Sequence, residues 1–230
     1  MLRGVGFHVG AATNMTQKIE SREDLPADDI VDAAVAGFET GAAGGYILGE
    51  NETEKDVGGA KDSLVEMTAC HAAEQAPEYQ PVLVEHRVRI ALPGARDLVG
   101  ILDLADDQGR VVDFKTSGRR KSQAEADDSV QLTVYAATYK AVTSHQPRSL
   151  RMDSIVRTKG GSVYREALDT TRDDADFAAL ANRINTVSAA IDAGSFPPAT
   201  PGAWWCSNSY CGYWRSCPYV NSERKAKSHG

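Results

Sequence analysis

The chain has 230 residues, 42% of them hydrophobic, and a formal net charge of -7, so we expect one core and one domain with at most an appendage. The negative charge argues against a protein that coats nucleic acid by bulk electrostatics, but not against basic residues gathered at one cleft. No apolar run approaches the roughly 20 residues of a membrane span, and "MLRGVGFHVG" lacks the apolar stretch of a secretory signal, so we expect a cytoplasmic protein without membrane contact.

Helices are predicted for the N-terminal part of the chain. Gly4, Gly6 and Gly10 surround His8, so we expect helix only after the glycines, over "AATNMTQKIES". The stretch "LPADDIVDAAVAGFETG" combines acidic residues in its first turn with apolar residues at helical spacing, which predicts a second helix. A third helix is predicted over "GAKDSLVEMTACHAAEQ" and ends before Pro77.

Strand patterns follow. "VLVEHRVRIAL", "LVGILDLA" and "RVVDFKTS" predict a meander of three strands, with "DDQG" at its second turn. "SQAEADDSVQLTVYAATYKAVTS" predicts one helix packed on the sheet. "LRMDSIVRT" and "SVYREALD" predict a hairpin with "KGG" at its turn, and "TRDDADFAALANRINTVSAAIDAG" predicts a last helix with Thr171 as its candidate cap.

Charged side chains are concentrated on the second and third strands. Asp103 lies near the end of one strand and Asp113 near the end of the next, so a tight hairpin would bring their carboxylates close. Asp113 and Lys115 are separated by one residue and point to the same face of a strand. Two carboxylates, with the main-chain carbonyl of Phe114, suit Mg²⁺ or Mn²⁺, and a lysine beside them suits hydrolysis of a phosphodiester.

A surface hairpin with outward-facing charges would show the same pattern. Three further features favour the metal site. Gln131 and Tyr135 lie four residues apart on one face of the predicted helix. Glu85 lies on the preceding strand, and His8 lies in the first segment.

These motifs resemble those of the PD-(D/E)XK nucleases of the RecB-like branch. "GILDLA", "VVDFKTS" and "QLTVY" are similar to its G-x-x-D, D-x-K and Q-x-x-x-Y motifs, and "RGVGFHVG" is similar to its G-x-x-x-H element. The resemblance implies an α/β fold with a restriction-endonuclease-like core, in which helices flank a mixed central sheet. It also implies metal-dependent cleavage of DNA.

The resemblance assigns roles to individual residues. Asp103 and Asp113 would bind Mg²⁺ or Mn²⁺, with His8 as third ligand and the Phe114 carbonyl as a further one. Lys115 would be the catalytic lysine. The residues that would steady the site and touch the DNA backbone are Gln131 and Tyr135. Glu85 corresponds to an acidic residue often found on the preceding strand, although a surface position fits it equally. The candidates for gripping the DNA backbone are Arg119, Arg120 and Lys121.

Cys206, Cys211 and Cys217 lie close together in a C-terminal loop rich in tryptophan and tyrosine, which predicts a metal site. Iron-sulfur nucleases of the same branch hold a 4Fe-4S cluster with one early and three late cysteines. The late three match here, but no cysteine precedes His8. Either the start of the chain is shorter than in the family, or Cys70 is the fourth ligand; Cys70 also fits the apolar face of its helix. Zinc is the alternative metal.

The sequence is therefore divided into an N-terminal helical part (1–80), a nuclease core (81–194) and a cysteine-rich tail (195–230). The first functional hypothesis is an exonuclease that acts on DNA ends or single strands in recombination, repair or phage DNA metabolism. The alternatives are a non-catalytic DNA-binding or assembly module and a restriction-type endonuclease. DNA is the expected partner, with a helicase, a recombinase or a second copy as further candidates, in a bacterial or phage-infected cell.

Overall fold

A computed structural model describes residues 2–46, 48, 53–92, 94–200, 202–203, 205–208 and 210–221. The helices are α1 (Leu2–Ser21), α2 (Ala27–Ala43), α3 (Glu54–Cys70), α4 (Gln123–Asp127), α5 (Val130–Thr143) and α6 (Asp174–Asp192). The strands are β1 (Pro81–Ile90), β2 (Leu98–Asp106), β3 (Arg110–Ser117), β4 (Ser149–Arg157) and β5 (Val163–Thr170). A π turn (His71–Gln75) and a 3₁₀ turn (Ala76–Glu78) continue α3. None of the helices in these ranges is long and apolar enough to cross a membrane.

The five strands form one sheet in the order β1-β2-β3-β4-β5. β1, β2 and β3 pair antiparallel, which confirms the predicted meander. β4 then pairs parallel to β3 after the chain has crossed over through α4 and α5, and β5 returns antiparallel as the predicted hairpin. The sheet is therefore mixed and flanked by helices, as the sequence predicts.

Two apolar cores hold the helices on opposite faces of the sheet. One joins α1, α2 and α3 to side chains such as Val112 and Ile155. The other joins α5 to Val111 and Leu150. Because Val111 and Val112 are consecutive in β3, their side chains point to opposite faces. The middle of the sheet is buried on both sides, and Asp103 and Asp113 are enclosed between the two helical layers.

The expectation of a helix only after the N-terminal glycines is wrong, because α1 begins at Leu2 and runs through them. A Cβ on Gly6 would lie 2.6 Å from the Ala34 carbonyl oxygen, and one on Gly10 would lie 2.8 Å from the Ala34 Cβ. The glycines therefore allow α2 to approach α1 closely, and this packing outweighs their weak helix propensity. A continuous α1 fixes the position of His8.

Two local predictions are also corrected. The single helix predicted over 122–144 is two helices, because the chain breaks at Asp128 and the Ser129 side chain accepts the Leu132 N–H at the start of α5. The cap of α6 is Asp173 rather than Thr171, since the Asp173 carboxylate accepts the N–H groups of the first turn.

The close contact of α1 with α2 predicts opposite effects for two helical Gly→Ala substitutions. Gly6→Ala should destabilise the protein by about 1–3 kcal/mol, since the new methyl group meets a backbone carbonyl. Gly59→Ala, at a position in α3 with nothing within 4 Å, should stabilise it by about 0.5–1 kcal/mol. Urea unfolding measures both. Stabilisation by Gly6→Ala would show that α1 and α2 are not packed in this way.

Candidate metal and active site

The backbone pairing of β2 with β3 gives way to a side-chain contact at Asp103. The two strands pair at Ala105–Val111 and Leu104–Val112. At the next position the Asp103 carboxylate bridges the strands, because its Oδ2 accepts the Phe114 N–H at 2.9 Å. Asp103 lies within β2 rather than near its end, and its side chain is 7% exposed. This bond fixes the carboxylate between the strands.

Asp113 is a buried carboxylate that lacks hydrogen-bond donors. Its side chain is 0% exposed, and neither oxygen accepts a hydrogen bond from the part of the chain that the structure describes. Lys115 Nζ lies 2.9 Å from Oδ1, but off the direction of a hydrogen bond. Burial raises the pKa of Asp113 to about 6; Lys115 opposes the shift and Asp103 adds to it. Lys115 balances part of this charge, and the lack of hydrogen bonds to either oxygen leaves the carboxylate able to attract a further cation.

A chain of polar contacts connects the two aspartates through α5. Lys115 Nζ donates to Gln131 Oε1 at 2.7 Å, and Gln131 Nε2 donates to the Tyr135 hydroxyl at 2.9 Å. The Tyr135 hydroxyl donates to Asp103 Oδ1 at 2.6 Å. Burial and the Asp103 charge both raise the pKa of Tyr135, so this hydroxyl keeps its proton. The four predicted residues Lys115, Gln131, Tyr135 and Asp103 are thus brought together.

Gly100 allows α5 to approach this part of the sheet. A Cβ at Gly100 would lie 2.5 Å from the Thr138 hydroxyl oxygen and 3.3 Å from Val134. Thr138 lies one helical turn after Tyr135 and two turns after Gln131 on α5, so the contact also sets how close those two side chains come to the strands. The glycine of "GILD" is therefore explained by packing rather than by chemistry.

His8 and Glu85 complete the cluster on the other side of Asp103. His8 Nδ1 lies 3.7 Å from Glu85 Oε1 and 3.7 Å from Asp103 Oδ2. One ligand atom from each of the three residues lies within 4.8 Å of the others, a grouping that could hold a metal ion. Burial alone would lower the pKa of His8, but the carboxylates of Glu85 and Asp103 outweigh it and the net shift is upward.

Glu85 has a backbone conformation that is rare for its residue type. Its φ is +44°, in the left-handed region that non-glycine residues seldom occupy. The residues on either side, Val84 and His86, pair with Leu104 and Leu102, which places Glu85 beside Asp103. The sequence pattern gave Glu85 no more weight as a ligand than as a surface residue, because alternation along a strand does not reveal a left-handed residue.

The donor set at this site fits a divalent cation. Asp103 and Glu85 supply carboxylate oxygens and His8 a ring nitrogen, which are ligands that Mg²⁺ and especially Mn²⁺ accept. Asp113 is not part of this group, but neither of its buried oxygens accepts a hydrogen bond in the described part of the chain, which also fits a nearby cation. Phe114 packs its ring in the first core and gives its N–H to Asp103, and its carbonyl as a ligand remains a prediction.

The predicted DNA-binding residues Arg119, Arg120 and Lys121 follow β3 and are ion-paired. Arg119 and Lys121 both contact Glu125, at 2.9 and 3.0 Å. Arg120 Nε and the Lys121 N–H donate to the carboxylate of Glu166 on β5, at 2.7 and 2.8 Å. The side chain of Arg120 is nevertheless 76% exposed. The two glutamates, which sequence patterns did not identify, hold this basic loop beside the site.

The structure does not gather the predicted cysteine ligands. Cys206, Cys211 and Cys217 are free, partly exposed thiols on successive turns. In the described ranges, their sulfur atoms are not part of any group of three or more possible metal ligands, whereas His8, Glu85 and Asp103 form such a group. Cys70 packs against the first core, and burial raises its pKa to about 11. Trp204 lies outside the described residues.

Comparisons with known proteins were made for the whole chain. The family model of the PD-(D/E)XK nuclease superfamily matches residues 8–218. Among solved structures, a "putative exonuclease" from Eubacterium rectale is similar at 11% identity and a TM-score of 0.48, covering 92% of this chain and 76% of its own. The protein SSO0001 is similar at 14% identity and a TM-score of 0.35, covering 93% and 96%. No curated protein matches the chain.

Buried aspartates on neighbouring strands should respond differently to replacement by asparagine. Asp113→Asn removes a buried charge whose pKa stays raised even with the Lys115 ammonium group beside it, and should stabilise the metal-free protein by roughly 1–3 kcal/mol. Asp153, 0% exposed and paired with Arg165 at 2.6 Å, is the matched control, and Asp153→Asn should cost about 3–5 kcal/mol.

Thermal unfolding with and without Mn²⁺ completes this prediction. Mn²⁺ should raise the Tm of the parent and leave that of Asp113→Asn unchanged, since a ligand of the native state stabilises it. Equal Mn²⁺ shifts in both proteins would contradict the assignment of Asp113.

Proposed function

We propose that this chain, which belongs to the PD-(D/E)XK nuclease superfamily, hydrolyses phosphodiester bonds of DNA with the aid of Mg²⁺ or Mn²⁺. The observation that carries the proposal is the buried Asp113 carboxylate, which has no hydrogen-bond donor among the described residues and lies beside the Lys115 ammonium group. A surface hairpin would leave these charges in water, where no such group arises.

Each residue has a proposed part in binding the ion. Asp103, Asp113 and His8 would hold it, with Glu85 beside them and the Phe114 carbonyl as a further ligand. Both Asp103 oxygens accept a hydrogen bond and keep a second lone pair. The bound ion supplies Lewis-acid polarisation of the scissile phosphate and lowers the pKa of the attacking water.

Lys115 and the residues of α5 act on the reacting groups. The ammonium group of Lys115, held between Asp113 and Gln131, would orient the attacking water and stabilise charge on the phosphate oxygens in the transition state. Tyr135 would fix the rotamer of Asp103 by its hydrogen bond. Gln131 would hold both partners, because its amide binds Lys115 and Tyr135 at once.

The basic loop is proposed to contact the DNA backbone. Arg119, Arg120 and Lys121 follow directly from the strand that carries Asp113 and Lys115. Arg119 donates to both oxygens of the Glu125 carboxylate. A phosphate group would take the place of such a carboxylate, because two of its oxygens accept from an arginine in the same paired way. Binding through these residues should therefore weaken with salt.

The finer proposal is an exonuclease that acts on DNA ends or single strands in recombination, repair or phage DNA metabolism. It is supported by the similarity of the four motifs to those of the RecB-like branch. The pathway and a helicase, recombinase or second copy as partner are predictions of the same resemblance.

Loss of the lysine or of the second aspartate should abolish cleavage. Lys115→Ala and Asp113→Ala should each lower the rate of release of nucleotides from linear DNA in Mg²⁺ or Mn²⁺ by about 10²- to 10⁴-fold. Lys61→Ala is the matched control, since Lys61 forms an ion pair with Glu39 on the helical side of the molecule. The assignment of the site is wrong if the two variants cleave as fast as the parent while remaining folded.

Substrate topology distinguishes the alternatives. Cleavage of circular DNA would identify an endonuclease, because a circle has no ends. DNA binding that persists in a chelator, without cleavage in any divalent metal ion, would identify a non-catalytic module.

We further propose a 4Fe-4S cluster, with zinc as the alternative, on Cys206, Cys211 and Cys217, and Cys70 as the candidate fourth ligand. The support is the spacing of the three late cysteines in one segment of turns. Protein purified without air should be brown and contain iron, and Cys217→Ser should lose the colour. Cys70→Ser tests the fourth ligand: loss of iron assigns Cys70, and retention places the ligand elsewhere. Protein without bound iron or zinc would contradict the proposal.

A further inference from the structure

The outward face of α1 around His8 is apolar. Val5 is 45% exposed and Val9 39% exposed, and one side of Val9 packs against Gly37 of α2. They line a groove of about 570 Å³ whose other residues are Gly4, His8, Ala12 and Glu85. The residues from α1 are spaced along one side of the helix, so the groove runs along it.

This groove is continuous with the candidate metal site. His8 and Glu85 line the groove and also belong to the group of ligand atoms that includes Asp103. A substrate whose reacting group lies at the metal site would therefore place its adjoining part in or beside the groove.

The two sides of the site differ in charge. The strand β2, which carries Asp103, lies between β1 and β3. Glu85 of β1 and His8 of α1 therefore lie on one side of Asp103, and Lys115 of β3 lies on the other side. The Lys115 side continues into the basic loop 119–121, which suits phosphate groups. The groove side offers the two valine side chains, the His8 ring and the Glu85 carboxylate, and so has less positive charge for phosphate and more apolar surface for an uncharged ring.

Strand β2 has further exposed apolar side chains on the face of the sheet that α1 covers. Ile101 and Val99 are 42% and 44% exposed, and they face away from α5 because the alternate residue Gly100 contacts it. Directly opposite them on β1 are Arg87 and Arg89. Arginines beside an exposed apolar surface offer positive charge to the phosphates of a single strand and contact area to its bases, although no aromatic ring lies among these four residues.

We propose that the Val5–Val9 groove receives the sugar and unpaired base of the nucleotide next to the scissile phosphate, and so selects unpaired strands over duplex. The inference rests on the proposed nuclease function and adds the residues that set its specificity. In a duplex the base stays in its stack and cannot reach the groove, whereas an unpaired base covers the valines and removes their apolar surface from water.

The test combines variants of the protein with variants of the substrate. Val5→Thr alone and with Val9→Thr keeps the branched shape and replaces a methyl group by a hydroxyl group. The double variant should lose about tenfold in kcat/KM and in affinity on oligo-dT, since each valine loses apolar contact. Val187→Thr, at a 52% exposed valine on α6, is the control and should change nothing.

An abasic oligonucleotide of equal length identifies the contact. The parent should lose about tenfold on it relative to oligo-dT, and the double variant should show no further loss, because both changes remove the same contact. Cleavage of fully paired duplex should be unaffected by the valine changes. Affinity measured by fluorescence anisotropy in a chelator gives a readout independent of cleavage, and circular dichroism confirms that α1 is intact.

The outcomes separate the two proposals. A parent that binds oligo-dT through the valines but cleaves nothing would overturn the nuclease function and keep the groove. A parent that cleaves, with equal losses on abasic DNA in the parent and the double variant, would overturn the groove and keep the function. Val5→Thr gives the same distinction if the double variant fails to fold.

Discussion

The hydrogen bond from the Phe114 N–H to Asp103 Oδ2 is the contact on which the rest of the site depends. A backbone donor inside a sheet must be satisfied, and here a side chain takes the place of the neighbouring strand. The carboxylate is thereby fixed between β2 and β3, where the Tyr135 hydroxyl donates to it and His8 Nδ1 lies 3.7 Å away. If the Phe114 N–H bonded to the backbone of β2 instead, the two strands would remain paired at this point, and the space between their charged side chains would close.

Small residues supply the distances that the polar residues need. Gly6 and Gly10 bring α2 against α1, and Gly100 brings α5 against β2. His8 and Tyr135 belong to these two helices and approach Asp103 from opposite faces of the sheet. A shift of α1 by the radius of one methyl group would change the distance from His8 to Asp103, and an equal shift of α5 would change the Tyr135 hydrogen bond. The electrostatics of the site therefore depend on how closely these helices pack. This explains why glycines surround His8 in α1.

The sequence predicted the mixed sheet, its meander and hairpin, and the polar cluster, because alternation and motif spacing directly reflect strands and their faces. The gathering of Asp103, Lys115, Gln131 and Tyr135 followed from side chains that repeat with the periods of strand and helix. The course of α1 was mispredicted, since local propensity contains no information on which neighbour a glycine faces. Glu166 as the anchor of the basic loop and the backbone of Glu85 depend on contacts or strain that no local pattern encodes.

The left-handed backbone at Glu85 also affects a part of the molecule that no ligand touches. β1 is an edge strand ten residues long, and a regular edge of that length offers its unpaired backbone groups to a strand from another molecule. A residue with φ of +44° near the middle of the strand interrupts the regular extended backbone at that point. The side chains of Leu83 and Val84, just before it, pack against different cores. The distortion that brings the Glu85 carboxylate beside His8 and Asp103 therefore also makes the exposed border of the sheet a less regular template for other chains.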